Sequence, residues 1–464
     1  MKHKSTKYVN NIVIKNVYVL LIFLCFVYGQ ESLELKQADS LSAKNINNES
    51  VTILEGNIVF KKDSKMLYGD KAIQSNTSGI VKLSNNVRIE DENMSIFCDS
   101  LLYYSDNEDI ELIGNVKVVD IEQSISSKKG KLINDRNKMI LEDDCEITDG
   151  NRRITGDFFE IEFENKSIES LNVLENGVIY SSNTGFEKKD ELKVPINKVD
   201  ILKAEVINIK MDKNDISKID LIGMASSFIH LYQDSLYQGT NEVSGDKIVL
   251  EVNNNSIINL NSSGGVIGKF LPSESNTSNQ QKINYKGEIV EFDTKKNLSK
   301  MFGKANLFQE GMDLTASQIN INWDNNILEA FDENPFDSSE NLQPILIENN
   351  REPITGKSMV YNIKNRKGKV LAGSTSVQNN MYMGSQITSV ADSTFYIDDC
   401  IFTSCDPSKF YLGSKKVKII YGDKVIAKPL NIVVGGVPIF GIPMAIFPHS
   451  SDERRSGWIM PSFG

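Results

Sequence analysis

The chain has 464 residues, 40% hydrophobic and 24% charged, with a formal net charge of −11. That length predicts more than one compact unit, and the acidic balance argues against the clustered positive surface of a nucleic-acid-binding protein. Beyond the N-terminus no run approaches the roughly 18 consecutive apolar residues of a spanning helix, a test that spanning β-strands escape.

The N-terminus reads as a secretory signal over residues 1–29. Lys2, Lys4, Lys7 and Lys15 precede the apolar run Val17–Tyr28, and Gly29 is a small residue at the cut. The alternative is a single-span anchor, for which this run is short. Export permits disulfides. Outside the signal the cysteines are Cys98, Cys145, Cys400 and Cys405, whose pairing the sequence does not choose. No C-x-x-C pair and no histidine pair at ligand spacing occurs, so no metal site is expected.

An internal repeat carries the architecture. "GNIVF" at 56, "NNVRI" at 85, "GNVKV" at 114 and "DDCEI" at 143 step by 29 residues. A second landmark follows each by about 13: Gly69-Asp70, Cys98-Asp99, the degenerate Ser127-Lys128, and Gly156-Asp157. The segment 155–171 aligns with 244–260 and 355–371, and more loosely with 285–301. In each copy alternate residues are apolar, which predicts half-buried strands, and Asn- and Gly-rich turns separate them. A 29-residue unit is expected to hold two to three short strands. The fold class is therefore all-β, an elongated stack of jelly-roll units that bury a face only against their neighbours. Cys145 takes the place of Ile58, Val87 and Val116 in the repeat, which predicts a buried thiol.

Between the copies, 183–198, 272–282 and 332–353 are polar and read as connections or loops. After Phe402 come a strand, a turn and a strand, then prolines at Pro438, Pro443 and Pro448, then Arg454, Arg455, Ser456 and Gly457. Proline cannot donate to a ladder, so this stretch is no regular central strand. Nucleophile elbows and phosphate loops are absent. No catalytic residue and no cofactor is expected.

The repeat, "TSCDP" (403–407), "KKVKIIYGDKVIAKPLNIVVGGVPIFGIP" (415–443) and "RRSGWIMPSFG" (454–464) together resemble the lipopolysaccharide-assembly outer-membrane protein family, LptD/OstA or organic solvent tolerance protein. The resemblance implies a signal peptide (1–29), OstA-like jelly-roll repeats in two parts (30–200 and 201–400), and a hinge with the first strands of an outer-membrane β-barrel (401–464), the rest of the barrel being missing. It further implies that lipopolysaccharide moves through an apolar groove, acyl chains inside and sugars outside. Candidate lining residues are Ile58, Phe60, Val87, Ile89, Val116, Val118, Phe159, Ile161 and Phe163; the plainer reading is that they fill a closed core. Implied partners are a periplasmic jelly-roll bridge protein on the N-terminal edge and an outer-membrane lipoprotein plugging the barrel. Cys405 matches the family cysteine that crosslinks jelly roll to barrel, with Cys400 able to form a local bridge instead. The proline stretch and Arg454–Gly457 would form the barrel hinge. The alternatives are a free-standing periplasmic lipopolysaccharide-binding bridge protein, or a structural or carbohydrate-binding β-solenoid.

Overall fold

The computed structural model describes residues 33–448, apart from 47–48, 92–93, 121–122, 165–166, 190–191, 213–214, 254–255, 274–280, 334, 337–340, 350, 378–379, 392 and 404–409. The expected signal, Cys405 and Arg454–Gly457 lie outside the described residues. The chain divides into two compact units, Met1–Gly150 and Asn151–Gly464.

The first unit holds β1 (Glu34–Gln37), β2 (Ser40–Ile46), β3 (Glu49–Lys62), β4 (Lys65–Ser75), β5 (Ile80–Asp91), β6 (Met94–Tyr104), β7 (Ile110–Val119), β8 (Gln123–Ile133) and β9 (Lys138–Asp149). The second begins with β10 (Arg152–Glu164), β11 (Ser167–Lys189), β12 (Leu192–Asp212), β13 (Asp215–Gln233), β14 (Leu236–Asn253) and β15 (Ser256–Pro272). It continues with β16 (Ile283–Asp293), β17 (Leu298–Gln309), β18 (Met312–Asn322), β19 (Ile327–Phe331), β20 (Ile345–Glu348), β21 (Ile354–Thr355), β22 (Ser358–Asn362) and β23 (Lys367–Val377). It closes with β24 (Asn380–Ala391), β25 (Thr394–Thr403), β26 (Phe410–Ile420), β27 (Lys424–Lys428), β28 (Leu430–Val434), β29 (Val437–Ile442) and β30 (Ala445–Pro448). The fold is all-β and of the jelly-roll class that the repeat predicts. From β3 to β9, and again from β10 to β19, each strand pairs antiparallel with the next.

Both repeat landmarks belong to one structural device, a bend in the middle of each strand. On β5, Asn85 and Asn86 have φ of 63° and 51°, and together they oppose the single residue Asp99 where the β5–β6 register shifts. Gly56-Asn57, Gly114-Asn115 and Asp143-Asp144 repeat this bulge, again at positive φ. Gly, Asn and Asp are the residues that tolerate such backbone. The Asn side chain then donates to an Asp earlier in the chain, in the preceding strand for all but Asp39, which lies between β1 and β2: Asn57 to Asp39 at 2.9 Å, Asn86 to Asp70 at 2.5 Å, Asn115 to Asp99 at 2.9 Å and Asn176 to Asp157 at 2.6 Å. Glycine is required at Gly114, where an added Cβ would meet Asp99 Oδ2 at 2.2 Å. The degenerate copy keeps the contact by exchanging charges: Lys128 stands where the others have Asp, and it pairs with Asp144, which stands where they have Asn.

At Met224 the second unit places a long apolar side chain, 78% exposed, on such a corner at φ 43°. Asparagine bears this conformation at lower cost. Met224→Asn is expected to raise stability by about 0.5–1 kcal/mol, read as a shift of the urea midpoint at unchanged slope.

Apolar alternation continues on both sides of each bend. On β3, Val51 and Leu54 precede it and Ile58 and Phe60 follow it, all 6% exposed or less. Burying one face of both halves requires the halves to fold toward each other, so each unit has two layers joined along its row of corners. Each such side chain contributes about 1.5–3 kcal/mol by leaving water.

Three expectations need correction. The strands are not short: β3 runs for 14 residues and β4 for 11, so a 29-residue repeat holds two bent strands rather than two to three short ones, and β11 and β12 reach 23 and 21 residues. The polar segment 183–198 is no loose connection but lies in β11 and β12, paired from Ser182↔Val199 to Lys189↔Leu192. Its Lys188, Lys189 and Lys193 are exposed, so polarity there reports solvent and not loop. The expected loop at 332–353 includes β20, which pairs with β18.

Candidate functional site

The residues expected to line a groove fall on the inner face of their layers, and most are fully packed. Ile58, Phe60, Val87, Ile89, Val116 and Val118 in the first unit are 1–3% exposed, and Phe159 and Ile161 in the second are 0% exposed. Phe163, nearer the strand end, is half-buried. Cys98 and Cys400 are buried free thiols. Burial pushes Cys98 up to about 11 and Cys400 up to about 12, which leaves both poor nucleophiles. Cys145 is buried in its repeat position, 2% exposed.

Open interior space lies elsewhere. In the second unit a cavity of about 350 Å³ separates the two layers. Leu260, Val290, Phe292 and Met301 line it from one layer, and Phe270, Ile283, Tyr285 and Leu307 from the other. Phe270 and Trp323 approach across the gap with ring centroids 6.5 Å apart. Polar groups ring the strand ends away from the corners: Gln233, Gln238, Thr294, Asn297, Ser299 and Asp324. Several are tied down, Trp323 Nε1 donating to Ser299 Oγ at 2.7 Å and Asn297 Nδ2 to Asp324 Oδ1 at 2.8 Å. Tyr285 lies over Gly268, which an added Cβ would bring to 2.0 Å of its ring, and donates to Asn241 Oδ1 at 2.8 Å. An apolar chamber with a hydrogen-bonded polar rim of this size fits the hydrocarbon end of an amphiphile.

Sequence reasoning missed this chamber. The layer separation that opens it is a tertiary property.

Beside the chamber, His230 is buried on Asp200. Its backbone N–H and its Nδ1 both lie 2.8 Å from Asp200 Oδ1, and Asn183 Nδ2 donates to Oδ2 at 2.6 Å. Burial pushes the Asp200 carboxyl above the usual carboxylate range, against the pull of these donors. The cluster joins β11, β12 and β13 at the root of the hairpin arm 182–199. Asp200→Ala is expected to cost about 3 kcal/mol, because two buried donors lose a charged acceptor; guanidinium unfolding of the variant checks it.

At the C-terminal end, Val437, Ile439, Phe440, Met444 and Ile446 are all more than half exposed. Pro438 lies in β29, Pro443 just after it, and Pro448 ends β30 opposite Lys424. At the N-terminal end, β1 and β2 are exposed throughout and pair with β3.

Residues 30–129 match a family model described as OstA-like protein, and residues 425–464 one described as LptD protein. No match was found among curated proteins. A solved structure that the chain resembles is LptH, the LptA homologous periplasmic component of the conserved lipopolysaccharide transport device from Pseudomonas aeruginosa. Identity is 15%, over 26% of this chain and 73% of that one, with a TM-score of 0.21. The OstA-like match falls in the first unit's sequence and the LptD match at the C-terminal end of the second. The two matched segments together support a lipopolysaccharide-transport protein of the LptD/OstA type.

Proposed function

We propose that this chain passes lipopolysaccharide toward the outer membrane, sheltering acyl chains between its layers and leaving the sugars outside. The observation that carries this reading is the chamber of about 350 Å³ in the second unit, apolar in its walls and polar at its rim. Each methylene withdrawn from water there gains about 0.8 kcal/mol. The groove set in the first unit, from Ile58 to Val118, would continue the path once its layers part. The exposed outer edge of β1 and β2 suits addition of a strand from a periplasmic bridge protein. The exposed apolar face around Val437–Ile446 suits contact with hydrocarbon or with a barrel wall, the prolines acting as its hinge. On this reading the described part lies in the periplasm, delivered by a signal peptide to a barrel in the outer membrane, where a lipoprotein plug would complete the assembly. No catalysis is assigned.

The test is a photo-crosslinking amino acid placed at Leu307, which lines the chamber, and at Phe308, 46% exposed on the opposite face. Lipopolysaccharide is expected to be captured at 307 and not at 308. Equal capture at both, or none at 307, contradicts the reading.

A further inference from the structure

The first unit closes its interior with charge. Along β3 the inward row runs Leu54, Ile58, Phe60 and then Lys62, only 8% exposed. An apolar residue there would extend the core to the rim. Lys62 instead reaches from its own layer to the β6–β7 turn at the end of the other, where its Nζ lies 2.7 Å from Glu108 Oε1. The corners, where the two layers are continuous, lie at the far end of these strands.

The acceptor side is braced. Asn134 Nδ2 donates to Glu108 Oε2 at 3.0 Å. The neighbouring Asp109, 4% exposed, takes Asn107 Nδ2 at 3.0 Å and the backbone N–H of Asn134 at 3.3 Å, and pairs with Lys131 at 3.3 Å. Asp63 lies 3.9 Å from Lys62 Nζ, and buried Tyr103 adjoins the pair. Burial acts to lower the Lys62 ammonium, but the hydrogen bond and charge of Glu108 outweigh it and hold the group above its usual range. The cation therefore persists until alkaline pH.

A half-buried ion pair is a poor source of net stability compared with packed apolar side chains. The two kinds of contact behave differently once parted: separated ions regain water, whereas a separated apolar seam exposes hydrocarbon. We propose that Lys62 and Glu108 form a clasp that keeps the packed, lipid-free interior of the first unit shut and releases when an acyl chain enters. The clasp rests on the lipid-sheltering function proposed above and adds a gate to it, between the layers at the rim in front of the groove set.

The full chain tests this with crosslinkers at Phe60, behind the clasp, and at Leu307 in the second unit. Lys62→Glu sets two carboxylates against each other. It is expected to raise lipopolysaccharide capture at Phe60 severalfold and leave capture at Leu307 unchanged; K62E/E108K is expected to return capture at Phe60 to its starting level. Should K62E unfold the unit, a short thiol-to-thiol staple across K62C/E108C reads the same point, abolishing capture at Phe60 alone. Capture at Phe60 that ignores both the charge reversal and the staple overturns the clasp, with the lipid reading intact. Absence of capture at Leu307 in every variant overturns the lipid reading and the clasp with it.

Discussion

Leu307→Trp is expected to lower lipopolysaccharide affinity by about tenfold or more, equivalent to about 1.4 kcal/mol, with little loss of stability. Leu307 is 1% exposed yet faces the chamber of about 350 Å³, so the larger side chain grows into space the protein leaves empty. A close-packed site would resist it, because overpacking costs about 1–3 kcal/mol. Titration of the variant with lipopolysaccharide, beside a thermal melt, separates the two. Lost affinity at an unchanged Tm places the ligand in the chamber. Unchanged affinity removes the chamber from the function.

The second large effect is on stability. Phe159 is 0% exposed, and Phe159→Ala is expected to cost about 3–5 kcal/mol, the sum of lost transfer energy and a new cavity. Phe292 borders existing space, so Phe292→Ala adds little cavity and is expected to cost about half as much or less. Guanidinium unfolding of both variants reads the contrast. If Phe159→Ala is silent, the second unit holds lipid space at Phe159 and the sequence-based lining set is right as it stands.

How much of the molecule is legible in the sequence depends on what fixes each feature. The corner repeat was legible because its backbone admits few residues. Positive φ at two successive positions selects Gly, Asn and Asp, and the partnering Asp70 and Asp99 leave a second mark on the preceding strand. Burial of Ile58, Val87, Val116 and Cys145 was legible for the same reason, since the bend fixes which residues alternate inward. The arm 182–199 was not, because its alternation at Leu192, Val194 and Ile196 is short, is broken by Pro195 and charged residues, and leaves Leu192 71% exposed, so burial does not mark it. The chamber was not, because Leu260 and Val290 have the same alternation as Phe159 and Ile161. The difference is how far the opposite layer stands away, which no single strand records. Nor was the clasp: Lys62 and Glu108 are 46 residues apart, and only the second layer brings them together.

Entry of apolar chains between the layers is the central claim, and the heat capacity of binding reports it most directly. Calorimetry over a range of temperatures, with intact and with fully deacylated lipopolysaccharide, makes the comparison. A clearly negative heat-capacity change for the intact lipid, absent for the deacylated saccharide and reduced in Leu307→Trp, is the predicted result. Equal affinity and equal heat capacity for the two ligands would contradict it.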